Sequence, residues 1–305
     1  MSEPDLHAVT GAFSYTGKYI ARRLLAEGAR VRTLTGHPQR AHEFGATIDV
    51  RRLQFDDVEA LTESLRGASV LYNTYWIRFE RGESTFARAV ANTKRLIAAA
   101  EAAGVRRIVH VSIANAERAP ELPYYRGKAE LEREIRASGL SSAILRPTVL
   151  FGEEDILINN IAWVLRHLPV FGVPGDGSYR MRPIFVDDVA KLAVELAKRD
   201  DNVTVDAVGP EVFRFDEWVR LLARTVRSRA LIVHMPPWLA LLATRAIGLA
   251  VDDVVLTADE VRGLRAGLLT TDAPSAGHTR LSEWLEQHRD RVGRRYASEV
   301  ERHYR

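Results

Sequence analysis

Along its first half the chain alternates short apolar runs with longer stretches in which apolar residues recur at the helical period. Leu6 to Thr10 is a continuous apolar run, and Tyr19 to Ala26 follows with Ile20, Leu24 and Leu25 on one side, ending at Gly28, a residue suited to the C-terminal cap of a helix. Arg30 to Thr35 reads as a second strand, Asp57 as the cap of a helix reaching Leu65, and Val70 to Asn73 as strand four. Ser84 to Ala103 predicts a long helix ended by Gly104, and Arg107 to Ser112 predicts strand five. Strands separated by whole helices demand crossover connections, so the pattern predicts an α/β fold: a Rossmann-type, doubly wound parallel sheet.

Length and composition extend this picture. At 305 residues with 46% hydrophobic content, one core domain with a smaller appended lobe is expected. The expected division is a dinucleotide-binding domain over 1–150 and an α/β substrate lobe over 151–305, with 184–210 returning to the first sheet. Cysteine is absent, which excludes disulfides, thiolate nucleophiles and cysteine-held zinc or iron–sulfur clusters. The polar, acidic start and the lack of a long apolar run predict a cytoplasmic protein with no transmembrane segment. Five of the 43 basic residues are lysine and the rest arginine, and the net charge is only +3. No nucleic-acid partner is expected from that balance, and the arginines of the tail (Arg289, Arg291, Arg294, Arg295, Arg302, Arg305) read as a solvated amphipathic helix. Between Pro236 and Val251 the chain is almost continuously apolar, interrupted by Arg245. At about fourteen residues it is too short to span a bilayer, and a buried helix of the second lobe is expected, with a peripheral membrane or partner contact as the alternative.

The strongest chemical signal is Thr10-Gly11-Ala12-Phe13-Ser14-Tyr15-Thr16-Gly17, placed between the first strand and the first helix. In a dinucleotide-binding turn, Gly11 makes the tight turn, Gly17 lets helix and strand approach, and the helix N–H groups face a pyrophosphate. Ser14 stands where a middle glycine is usual, with a hydroxyl able to donate to a phosphate oxygen. Phe13, Tyr15 and Thr16 complete the turn. After strand two no acid occurs before Glu43, while Thr35, His37 and Arg40 offer hydrogen bonds and positive charge, a composition that favours NADP(H) over NAD(H). Gln54 and Phe55 follow strand three, where adenine lies in this fold.

A second constellation is Ser112 with Tyr124 and Lys128, the latter two one helical turn apart and so on one face. A lysine cation there stabilises a tyrosinate whose free phenol titrates at roughly 10. Tyr124 would exchange a proton at a carbon-bound oxygen, and Ser112 would orient that oxygen. Taken without its context, Tyr-x-x-x-Lys is also an ordinary surface-helix pattern.

These motifs, with Asn92-Thr93, Val111-Ser112, Arg146-Pro147, Phe151-Gly152, Pro183 to Ala190 and Val208 to Glu211, resemble an extended or atypical short-chain dehydrogenase/reductase of the NAD-dependent epimerase/dehydratase type. Asn73-Thr74-Tyr75-Trp76 and Glu154 to Asn160 look most like the branch that includes the nucleotide-binding accessory subunit of respiratory complex I and NmrA-like proteins. The resemblance implies a cofactor site that also takes in Asn73, Thr74, Tyr75, Tyr124, Lys128 and Pro147. Its implied substrate site lies where the C-terminal edge of the sheet meets the chain from about residue 150 onwards, lined by Trp76 with Arg78, Arg126 or Arg182 for an anionic group. Two functions stay open: an NADP(H)-dependent oxidoreductase, epimerase or dehydratase acting on a small carbonyl or alcohol, or a non-catalytic NADP(H)-binding sensor or assembly subunit, as the eukaryotic complex I member is. The acids at 153–155 read as the opening of a helix, Asp187-Asp188 as the N-cap of a helix over Val189 to Lys198, and the histidines show no ligand spacing, so no metal is expected.

Overall fold

The computed structural model describes residues 5–304. The chain forms two compact units, one made of the residues up to Pro147 together with Val186–Ala207, the other of Thr148–Phe185 and the residues from Val208 onwards.

In the first unit β1 (Leu6–Thr10), α1 (Tyr15–Ala26), β2 (Arg30–Thr35), β3 (Ile48–Arg52), α2 (Val58–Leu65), β4 (Ala68–Asn73), α3 (Phe86–Ala102), β5 (Arg107–Val111), α4 (Pro123–Ala137) and β6 (Ser141–Pro147) follow in turn. The strands form a parallel seven-stranded sheet in the order β11-β6-β5-β4-β1-β2-β3, in which β11 is Val203–Ala207. Because β1 pairs with β2 on one side (Thr10↔Leu34) and β4 on the other (Val9↔Tyr72), the winding reverses at the C-terminal ends of β1 and β4. Open sheets bind ligands at such a reversal. Leu34, Leu61, Leu65, Leu71, Leu96 and Ile108 are fully buried in one core cluster, which fixes the sheet against its helices. Asp57 caps α2 through Ala60 N at 2.9 Å. α1 starts four residues earlier than the apolar pattern indicated, because Tyr15 to Lys18 form its half-polar first turn.

The second unit contains three two-stranded pairings: β7 (Leu150–Phe151) with β10 (Ile184–Phe185), β8 (Val170–Pro174) with β13 (Leu231–Met235), and β9 (Arg180–Met181) with β12 (Phe213–Arg214). Its helices are α5 (Ile156–His167), α7 (Phe215–Thr225), α8 (Pro237–Val251), α9 (Ala258–Arg265), α10 (Leu281–His288) and α11 (Glu299–Tyr304). Phe151, Trp218, Leu222, Leu285 and Trp284 centre its core. Asp155 caps α5 through Ile158 N, while Glu153 pairs with Arg291 at 3.0 Å, so of the acids at 153–155 it is Asp155 that caps the helix.

Three expectations are corrected. α6 (Val186–Ala197) already contains Asp187 and Asp188 in its first turn, and Asp187 pairs with Arg23 of α1 at 2.7 Å instead of capping. Over the described residues the arginine-rich tail is not one helix, since turns occupy 289–295 before α11; Arg305 lies outside the described residues. The apolar stretch is helical but not buried: in α8 only Ala240 and Gly248 are buried, while Trp238, Leu242 and Leu249 are 66%, 57% and 88% exposed. Small residues let α8 lie close to its own unit, where a Cβ at Gly248 would meet Asp253 O at 2.5 Å, and the large side chains face outwards. Among the described residues no helix is long and apolar enough to cross a membrane.

Candidate cofactor and active site

Gly11 leaves β1 at φ +69°, a conformation open to glycine, and a Cβ on Gly17 would stand 2.3 Å from Gly11 O. Both glycines are therefore required by the close approach of α1 to β1. Ser14 is the N-cap residue of α1, yet its hydroxyl caps nothing and donates instead to Gly11 O at 2.6 Å. Its proton is directed at the turn itself. The Thr16 and Gly17 N–H groups, in the first helical turn, have no intrahelical acceptor, and no acid sits in that turn. A turn of this shape fits a pyrophosphate, which brings the acceptor oxygens the helix lacks. Phe13 stacks on His42 at 4.0 Å and 8°, with Phe44 at 6.5 Å. Periodicity did not mark His42, because it lies in an irregular loop.

At the end of β2, buried Thr35 accepts from His37 N at 3.1 Å, and its carbonyl accepts from Leu53 N. His37 is exposed and Arg40 half-buried, its N–H bonded to His37 O. Glu43, the first acid after β2, is gripped by Nε and Nη2 of Arg22, which hold its carboxyl below the usual carboxylate range.

The ends of β1 and β4 are laced together. Thr10 Oγ1 donates towards Asn73 Oδ1 (3.2 Å) and accepts from Thr74 N (2.8 Å) and Tyr75 N (3.1 Å), while Thr74 Oγ1 donates to Thr10 O (2.6 Å). Asn73 Nδ2 meets Nδ1 of buried His110 at 3.0 Å. The Tyr75 hydroxyl accepts from Asn92 and its ring lies 4.7 Å from Phe55, with Gln54 exposed beside it in sequence. Tyr75 and Asn92 line a cavity of about 290 Å³ together with Ile77, Thr85 and Arg88.

Ser112, Tyr124 and Lys128 occupy the β5 to α4 region. The Ser112 hydroxyl donates to Glu132 Oε1 at 2.6 Å, and Glu132, fully buried, also accepts from Arg146 and from Arg136. Burial pushes the Glu132 carboxyl up, but the hydrogen bonds from Arg146 and Ser112 outweigh it and hold the group below its ordinary value. Lys128 is buried, donates to Val111 O at 2.7 Å and stands 4.6 Å from the Trp76 ring centroid. Burial brings its ammonium down to about 7, against the opposing attraction of Glu132. Tyr124 is half-buried and meets Trp76 edge-on at 5.7 Å and 88°, and Phe86 at 5.8 Å and 80°. Trp76 therefore touches both the lysine and the tyrosine. His110 is held well below its ordinary pKa by burial and by Lys128, and its Nε2 is buried without a hydrogen-bond partner, as is Trp76 Nε1.

The remaining candidates are dispersed. Pro147 ends β6 and its carbonyl accepts from Ala114 N at 2.8 Å, guiding the segment after Ser112. Arg78 lies 5.8 Å from the Phe79 ring, and Arg126 is exposed and donates to Pro120 O. Arg182, in the second unit, donates to Gly209 O (2.8 Å), Thr271 O (3.0 Å) and Ala273 O (2.6 Å). That guanidinium staples three loops, which replaces its expected role as an anion holder. Glu132 went unnoticed in the sequence, although its spacing of four from Lys128 puts it on the same helix face.

A sequence profile described as NAD(P)H-binding matches residues 11–200. The 40 kDa subunit of mitochondrial NADH-ubiquinone oxidoreductase from Neurospora crassa is 26% identical over 262 residues, covering 83% of this chain and 68% of that protein. A ceramide reductase of Caulobacter vibrioides is 27% identical, covering 75% and 73%. The NADPH-dependent quinone oxidoreductase of Escherichia coli, solved with NADPH, superposes with a TM-score of 0.77 at 21% identity, covering 92% of this chain and 99% of that one. The motifs read in the sequence and these relatives point to one family and one NAD(P)-binding, oxidoreductase-type fold.

Proposed function

Because the chain belongs to the NAD(P)H-binding family, we propose that it is an NADP(H)-dependent reductase of a small, flat carbonyl compound, working in a reducing compartment such as the cytoplasm. The observation that carries this reading is the cluster in which Trp76 lies under the Lys128 ammonium and edge-on to Tyr124, at 4.6 and 5.7 Å. The backbone N–H groups of Thr16 and Gly17 hold the pyrophosphate, and His37 and Arg40 favour a 2′-phosphate because Glu43 is neutralised by Arg22. When bound, the nicotinamide supplies the hydride. Tyr124 gives its phenolic proton to the carbonyl oxygen, and Lys128, titrating near neutrality, offsets the charge left on the tyrosine. Ser112 cannot donate to that oxygen while its proton rests on Glu132, so it fixes β5 against α4 and leaves donation to Tyr124 alone. Trp76, Phe86 and Tyr124, all half-buried, make an aromatic wall suited to a flat apolar substrate.

The test is a titration with NADPH and NADH followed by turnover on a panel of quinones and aryl ketones. NADPH is expected to bind more tightly, and Tyr124→Phe to abolish turnover while keeping NADPH affinity. Unchanged turnover in that variant removes the assignment. The second reading, a non-catalytic NADP(H)-binding accessory subunit, is favoured by likeness to the Neurospora subunit. NADPH binding with no turnover on any carbonyl and retention of a co-purifying partner would select it.

A further inference from the structure

We propose that the outward face of α8 docks in the plane of an anionic lipid bilayer. This inference stands apart from the cofactor chemistry. Trp238, Leu239, Leu242, Ala243, Ala246, Leu249 and Ala250 form one exposed arc of the helix, and Arg245 is its single charge. Ala240, Thr244 and Gly248, four residues apart, face the protein. An ordinary surface helix buries its large apolar side chains and exposes its small and polar ones, and α8 does the reverse.

The charge of the chain leading into the helix identifies the occupant. From Trp218 to Val251 it holds no acid, Asp252 and Asp253 following only at the C-terminal end of α8, and it carries Arg220, Arg224, Arg227, Arg229 and Arg245, all exposed and none in an ion pair among the described residues. Arg227 and Arg229 lead into β13, whose first residue, Leu231, is 68% exposed. Fifteen residues of helix are about 22 Å long, short of the roughly 30 Å hydrocarbon core, so α8 lies on the membrane and does not cross it. Apolar residues then enter the acyl boundary, Trp238 sits at the interface, and the arginines meet lipid phosphates.

The test is cosedimentation of the full chain with vesicles of phosphatidylcholine alone and with roughly 30% phosphatidylglycerol added. Binding to the anionic vesicles should exceed binding to the neutral ones by about tenfold or more and fall as salt is raised. Leu242→Glu with Leu249→Glu should lower it about tenfold, as should Arg227→Glu with Arg229→Glu, with NADPH affinity kept as a check of folding. Wild-type protein that stays in the supernatant with both vesicles, or variants that bind like wild type, would overturn the proposal. A dimer in sedimentation velocity that the double leucine variant dissociates, without vesicle binding, would assign the face to a second copy of the chain instead.

Discussion

The hydroxyl of Ser112 donates to Oε1 of Glu132 at 2.6 Å, and the same carboxylate is held by Arg146. Ser112→Ala leaves Glu132 with both arginines, so it should cost only about 1 kcal/mol of stability and change turnover little. Glu132→Gln removes the fully buried carboxylate that Arg146 and Arg136 share and leaves half-buried Arg146 with Glu117 at 3.7 Å, so it should cost more, up to about 3 kcal/mol. Denaturant unfolding of the two variants beside wild type measures the contrast. A large loss of turnover in Ser112→Ala at unchanged stability would restore Ser112 as a direct donor.

Gly17→Ala places a methyl group where Gly11 O stands 2.3 Å away, and backbone cannot swing aside as a side chain can. The helix start must move off β1, at a cost of about 1–3 kcal/mol, and the phosphate-facing N–H groups move with it. NADPH affinity measured by fluorescence titration should fall at least tenfold, roughly 1.4 kcal/mol. Gly28→Ala, at a positive φ with open space around it and remote from the turn, should leave affinity untouched.

Lys128 imposes a pH dependence. Its ammonium titrates at about 7 in the fold and near 10.4 in the unfolded chain. Below pH 7 both states carry the proton and the burial penalty is full; between the two values unfolding takes up a proton, so stability rises with pH. Relative to wild type, Lys128→Met should be more stable at pH 6 by an amount of order 3–5 kcal/mol, less the lost bond to Val111 O, and the gap should close by about pH 10. Parallel urea melts of both proteins across that range measure it; a gap that widens with pH would contradict the burial argument.

Arg182→Ala removes three bonds to loop carbonyls and should destabilise the second unit by about 2–4 kcal/mol. Its NADPH affinity should equal that of wild type. Differential scanning calorimetry and titration of the same preparation separate the two effects.

The sheet was legible where strands are apolar on both faces, as β1 and β4 are, and where helices begin or end on a residue with a local reason, such as Asp57 or Gly28; β3, Ile-Asp-Val-Arg-Arg, carries no such signal. Thr10 and Asn73 were visible as the strand ends that meet at the reversal of winding, but their mutual hydrogen bonds depend on a register that no local pattern encodes. α8 shows a second limit: apolar content announces a helix, yet whether the protein itself covers that helix is set by what packs beside it. Arg182 shows a third, since an arginine in a motif has the same spacing whether it meets a ligand or three carbonyls.

The return of Val186–Ala207 to the first sheet means that neither unit is a continuous stretch of chain. Arg23 of α1 grips Asp187, buried Arg107 of β5 donates to Leu196 O and Asp201 O, and β11 closes the edge beside β6. A truncated polypeptide stopping near residue 150 would expose the β6 edge and the flank of α1, inviting edge-to-edge aggregation. On the ribosome, the first sheet stays incomplete until the entire first segment of the other unit has emerged, so that segment begins to fold as an insertion within an unfinished host.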